Sequence, residues 1–154
     1  MDKTVSRAKD LAYRYLALRS RSRAEMAAYL ARKEVPPEAA ETVIAELASF
    51  GYIDDARFAS SYAKYLVEYR GLSPYAIKYE LRRKGVPDAE IEAAIEGLSG
   101  EDGTGEEEVA LRIAGKKMAL LAGVSPEKAR RRLTDYLRRK GYSFGIIRKI
   151  ISSL

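Results

Sequence analysis

A chain of 154 residues with a formal charge of +6, 32% charged and 47% hydrophobic residues has the length for one or two folded domains, too many charges to be read as membrane-embedded and too many hydrophobic residues to be read as disordered. It has no cysteine and no histidine, which excludes disulfides, thiolate metal sites and cysteine nucleophiles, and removes the commonest general base and transition-metal ligand. No apolar run approaches the roughly 18 residues of a spanning helix, and the start Met1-Asp2-Lys3-Thr4 lacks the form of a signal peptide, so a cytoplasmic protein without membrane contact is expected.

From the amino end, Leu11, Tyr15 and Leu18 are spaced as the apolar face of a first helix. Ser22, with Glu25 three residues on, forms a capping box that opens a second helix, on which Met26 and Leu30 make a buried stripe. A third helix follows with Ala40, Ile44 and Leu47. Gly51-Tyr52-Ile53 is the whole connection to the next unit, and it reads as stiff because Leu47 and Tyr52 have the spacing of a helix-terminal apolar pair. Asp54-Asp55 fits an N-cap and first turn; side chains one residue apart on a helix do not face each other, which argues against a catalytic carboxylate pair.

The pattern then repeats. Ser73 and Ser125 lie 51 and 103 residues after Ser22, each followed by a proline at the first helical position. Tyr62/Leu66/Tyr69 and Ala114/Met118/Leu121 correspond to the first-helix face, Ile77/Leu81 and Ala129/Leu133 to the second-helix stripe, and Ile91/Ile95/Leu98 and Ile147/Ile151/Leu154 to the third helix. Each second helix ends alike, at Leu30-Ala31-Arg32-Lys33-Glu34-Val35, Leu81-Arg82-Arg83-Lys84-Gly85-Val86 and Leu137-Arg138-Arg139-Lys140-Gly141-Tyr142. Gly85 and Gly141 occupy the left-handed position past the helix end, and the apolar residue that follows returns to the leucine, as in a Schellman motif. Glu34 departs from this pattern at a position that favours glycine. The spacing thus predicts an all-α chain of three tandem three-helix repeats, at 1–53, 54–98 and 106–154. Residues 99–105, with three glycines and no apolar side chain, read as a hinge.

Charge is unevenly spread: residues 1–50 carry 9 basic and 7 acidic side chains, 51–98 carry 7 and 8, and 99–154 carry 12 and 7. A basic final third favours an anionic partner. Tyr75, Lys78, Tyr79 and Arg82 share a face of the middle second helix away from its apolar stripe, where aromatic and basic side chains suit base stacking or a protein anchor. With Arg83, Lys84, Arg130, Arg131, Arg132, Arg138, Arg139 and Lys140 they are the candidate partner- or DNA-binding residues. The plainer reading is a solvated face with cations placed for the helix dipole. Asparagine and glutamine are absent, which argues against sequence-specific base readout and leaves phosphate contacts to single- or double-stranded DNA open.

The stretches Tyr15-Leu16-Ala17-Leu18-Arg19-Ser20-Arg21-Ser22-Arg23-Ala24-Glu25-Met26, Gly51-Tyr52-Ile53-Asp54-Asp55-Ala56-Arg57-Phe58-Ala59, Arg70-Gly71-Leu72-Ser73-Pro74 and Arg83-Lys84-Gly85-Val86 resemble the RecX family of bacterial regulatory proteins. The resemblance implies a helical modulator without enzymatic activity, its three-helix repeats in an elongated, curved arrangement, that binds the RecA filament and dampens its recombination, ATPase and co-protease activities, and so regulates DNA repair and the SOS response; a monomer without cofactor or metal is expected. It makes Asp54, Asp55 and Phe58 part of a junction motif, alongside Ser22, Glu25, Gly85 and Gly141 as structural positions. Two readings stand beside it. One is a non-specific DNA-binding repeat protein acting without RecA; the other is a plain helical scaffold, for which reversing Lys78, Arg82 and Arg83 to glutamate alters solubility and little else.

Overall fold

The computed structural model describes residues 2–98 and 105–154. Among the described residues there are nine helices and no strand: α1 (Lys3–Leu18), α2 (Arg23–Arg32), α3 (Pro37–Ser49), α4 (Asp55–Arg70), α5 (Pro74–Arg83), α6 (Asp88–Glu96), α7 (Glu106–Leu120), α8 (Pro126–Arg139) and α9 (Phe144–Ser153). They form three successive triplets, so the all-α tandem repeat is as expected. The glycine-rich segment read as a hinge lies, at 99–104, outside the described residues. Two compact units are formed, Met1–Ser60 with Leu81–Ala93, and Ser61–Glu80 with Ala94–Leu154.

In the first unit, α1, α2 and α3 pack on one another around Met26, Leu30, Val35, Val43, Ile44, Leu47 and Ile53. The buried line of α1 is made of Ala8 and Ala12, with Leu11 and Tyr15 only partly covered and Leu18 78% exposed. The predicted Leu11/Tyr15/Leu18 face was therefore rotated. Alanine lets two helix backbones approach closely, so the smallest side chains mark the contact line and the larger ones flank it. The same correction applies to α4, where Ala63, Leu66 and Val67 are buried while Tyr69, expected in the core, is 71% exposed. In the second unit α7, α8 and α9 close on Val109, Ile113, Leu133, Leu137, Tyr142, Ile147 and Ile150. Leu154, predicted as core, is exposed at the chain end.

The ends of the second helices form as the sequence dictates. Val35 N–H reaches Leu30 O at 3.0 Å, and Val86 and Tyr142 do the same to Leu81 and Leu137 at 3.1 Å. The inner bonds, from Glu34, Gly85 and Gly141 to the carbonyls of Ala31, Arg82 and Arg138, are each 2.9 Å. These are Schellman motifs, with φ of +62° at Glu34, +76° at Gly85 and +96° at Gly141.

The N-cap serines have a second role that joins repeats. Ser22 accepts from Glu25 N at 3.0 Å and donates its hydroxyl to Lys84 O at 2.6 Å. Ser73 accepts from Ala76 N at 3.2 Å and donates to Gly141 O at 2.8 Å, while its own N–H reaches Lys140 O at 2.9 Å. In each joint the start of one second helix meets the end of the next repeat's second helix, so orphan donors and acceptors of two helix termini satisfy each other. Both serines are fully buried. A Cβ on Gly85 would collide with that of Ala24, and one on Gly141 with Ser73 Oγ.

This packing explains why the first copy has Glu34. Among the described residues no serine of another repeat caps this helix end: the Glu34 side chain is exposed, and the neighbouring Lys33 carbonyl accepts from Arg7 Nη2 at 3.0 Å instead of from a serine. At the other end Ser125 caps α8 but is exposed. The residual backbone strain at Glu34 makes Glu34→Gly neutral or stabilising by about 0.5–1 kcal/mol, measured as the urea midpoint; a lower midpoint would mean the carboxylate contributes more than its conformation costs.

Candidate partner-binding surface

The helix starts hold their acids for structural reasons. Asp54 Oδ1 accepts from Arg57 N at 3.1 Å, capping α4, whereas Asp55 Oδ1 accepts from Arg23 N at 2.9 Å and so satisfies the first turn of α2. The two aspartates divide their work between two helices, and Phe58 is buried one turn on. Glu25 completes the capping box through Ser22 N at 3.1 Å and pairs with Arg19 at 2.9 Å. Among the described residues no three histidine, cysteine or acidic side chains come together in a way that could hold a metal ion, and no helix is long and apolar enough to cross a membrane.

The candidate cations separate into two groups. In the first unit, Lys84 lies 3.5 Å from Glu25 beside the repeat joint, Arg82 lies 3.6 Å from Asp88, and Arg83 is exposed. Arg82 and Asp88 are both mostly exposed, so their pair contributes little. In the second unit Arg130, Arg131, Arg132, Arg138 and Arg139 are all exposed, and among the described residues no carboxylate lies within salt-bridge distance of any of them. Residues 131 and 138 are two turns apart on one line of α8, and 132 and 139 on another, so two arginine rows cover its solvent side.

The carboxyl end of α8 gathers more charge. Arg138 stands 5.3 Å from the Phe144 ring centroid, and the ammonium groups of Lys117 and Lys140 lie 5.0 and 5.5 Å from that of Tyr136. Lys140 is half-buried; burial, then Arg70, then Arg139 hold its ammonium below the usual lysine range. The phenol of Tyr142 is pushed up, chiefly by burial, and its hydroxyl donates to Gly71 O at 2.9 Å. On α5 the Tyr75 and Tyr79 rings are 78% and 61% exposed, with Lys78 half-buried between them.

Models of the three RecX three-helix domains match this chain in order, the first at residues 8–47, the second at 54–95 and the third at 105–151. The chain belongs to the RecX family. Regulatory protein RecX of Streptomyces coelicolor is 35% identical over 147 residues, covering 96% of this chain and 77% of that protein. That of Amycolatopsis mediterranei is also 35% identical, covering 97% and 84%. Crystalline RecX from Lactobacillus salivarius is 25% identical and superposes with a TM-score of 0.82 over all of this chain and 98% of the other. A regulatory role follows from the family, and it points away from an enzyme.

Within this RecX-family chain, then, the serine and glycine positions are joints, Lys84 belongs to one of them, and α8 carries five arginines with no carboxylate in salt-bridge distance among the described residues. Tyr65, which sequence reasoning passed over, is 48% exposed between Tyr62 and Tyr69. Its three- and four-residue spacing from them was the available signal, masked by assigning the outer two tyrosines to the core.

Proposed function

We propose that this chain binds the RecA nucleoprotein filament in the cytoplasm and restrains its recombinase, ATPase and co-protease activities, limiting recombinational repair and the SOS response by contact alone, as a monomer without catalysis or cofactor. Membership of the RecX family across all three repeats carries this reading. The arginine rows of α8 support it chemically, because a nucleoprotein filament presents phosphates and acidic side chains that such a surface attracts.

The test is the single-stranded-DNA-dependent ATPase of RecA, titrated with this protein from far below one per RecA, with affinity for bare DNA measured in the same buffer. Inhibition at ratios too low to cover the DNA is expected. Arg130, Arg131, Arg132, Arg138, Arg139 and Lys140 favour a second reading, non-specific DNA binding without RecA. It predicts inhibition only near the concentration that saturates free DNA, and that outcome would replace the first reading.

A further inference from the structure

Tyr62, Tyr65 and Tyr69 form a ladder along the solvent side of α4. The first two rings are 6.1 Å apart and 8° from parallel, and the second and third are 5.3 Å apart at 37°. The rungs become more exposed toward the helix end, Tyr62 half-buried, Tyr65 at 48% and Tyr69 at 71%. Ala63, Leu66 and Val67 already supply the buried side of this stretch, so the fold does not need three aromatic rings outside it.

The end of the ladder is also where positive charge collects. Tyr69 precedes Arg70, and residues 71 and 73 are bonded to the end of α8, Gly71 O by the Tyr142 hydroxyl and Ser73 N–H to Lys140 O. These bonds hold the end of α8 beside the segment that follows α4, and Arg70 and Arg139 both lie close enough to Lys140 to lower the affinity of its ammonium for a proton. Lys64 and Glu68 are the other charged side chains on α4 between Tyr62 and Arg70. A protein hot spot also uses tyrosine, but exposed rings leading into three crowded cations match a ligand with flat π-faces strung on a polyanion.

We infer that the Tyr62–Tyr65–Tyr69 ladder is a stacking platform for unpaired bases of a single-stranded nucleic acid, whose phosphates are held by Arg70, Arg139 and Lys140. Stacking is tolerant of base identity because every base has a π-face, which suits a chain with no asparagine or glutamine to read base edges. The platform concerns bare strand and stands whether or not RecA is the protein partner.

The experiment compares binding of the whole chain to a labelled 20-residue oligothymidylate and to an abasic strand of equal length and charge. Because the chain has eleven tyrosines and no tryptophan, its own emission reports tyrosine, and oligothymidylate is expected to quench it where the abasic strand does not. Replacing Tyr65 and Tyr69 together by alanine should weaken oligothymidylate binding about tenfold or more and leave the abasic affinity within about twofold, while the double phenylalanine variant binds like the parent. Both positions are exposed, and thermal melts confirm that the variants fold. Equal weakening toward both strands, no weakening, or wild-type emission indifferent to the bases would overturn the platform. So would an alanine variant that keeps its oligothymidylate affinity but no longer restrains the RecA ATPase, an outcome that assigns the ladder to a protein contact instead.

Discussion

Gly141→Ala should destabilise this protein by about 2–5 kcal/mol, roughly twice the cost of the chemically identical change Gly51→Ala. Both glycines have positive φ, +96° and +79°, and a left-handed alanine costs about 1–2 kcal/mol at either site. What differs is the space. Nothing lies within 4 Å of a Cβ at residue 51, whereas at residue 141 it would overlap Ser73 Oγ and come within 2.8 Å of Ala76 Cβ. Ser73 cannot swing away without losing its bonds to Gly141 O and Ala76 N, and Ala76 sits in the first turn of α5. The overlap therefore adds the about 1–3 kcal/mol typical of overpacking. Urea unfolding of the two variants side by side measures the difference; equal losses would show that the joint opens freely and contributes nothing.

The joints also mark the boundary of what sequence could reveal. Schellman ends and capping serines are local, written in four to six consecutive residues, and the structure forms them at Glu34, Gly85 and Gly141 with the expected hydrogen bonds. That Ser22 and Ser73 reach across 62 and 68 residues to a carbonyl is not local, and no pattern around either serine announces it. Glu34 looked like a defect for the same reason. The glycine requirement at the other two copies comes partly from a neighbouring repeat, Ala24 against Gly85 and Ser73 against Gly141, whereas the Glu34 side chain is exposed. On α1 the period was right and the phase was rotated, while on α4 Leu66 took its expected place in the core and Tyr69 did not. Counting tyrosine and leucine as core passed over Ala8, Ala12 and Ala63, whose small size lets the helices meet. The arginine rows of α8 were legible because charge is counted directly, whereas the binding of Lys84 into a joint needed its distance to Glu25.

Reversing Arg131, Arg132, Arg138 and Arg139 to glutamate is expected to abolish measurable binding to duplex DNA at moderate salt and to raise the concentration needed to restrain the RecA ATPase at least about tenfold. Each arginine that meets a phosphate contributes a slope of about −0.9 in log affinity against log salt on duplex DNA, so loss of all four contacts would flatten the slope by up to about 3.6. None of the four has an acidic neighbour within salt-bridge distance among the described residues, so the reversal breaks no ion pair seen in the fold, and the melting temperature should fall only by what Arg138 and Arg139 contribute as cations in the last turn of α8. Reversing Arg82 and Lys84 provides the contrast. Lys84 faces Glu25 beside the Ser22 joint, where a new carboxylate meets an old one at 14% exposure and the helix end loses its cation. That pair of changes should lower the melting temperature and leave the salt slope nearly unchanged. If instead both sets flatten the slope equally, the anion surface extends over both units and α8 has no special claim to it; if neither does, the arginine rows are a solvated face.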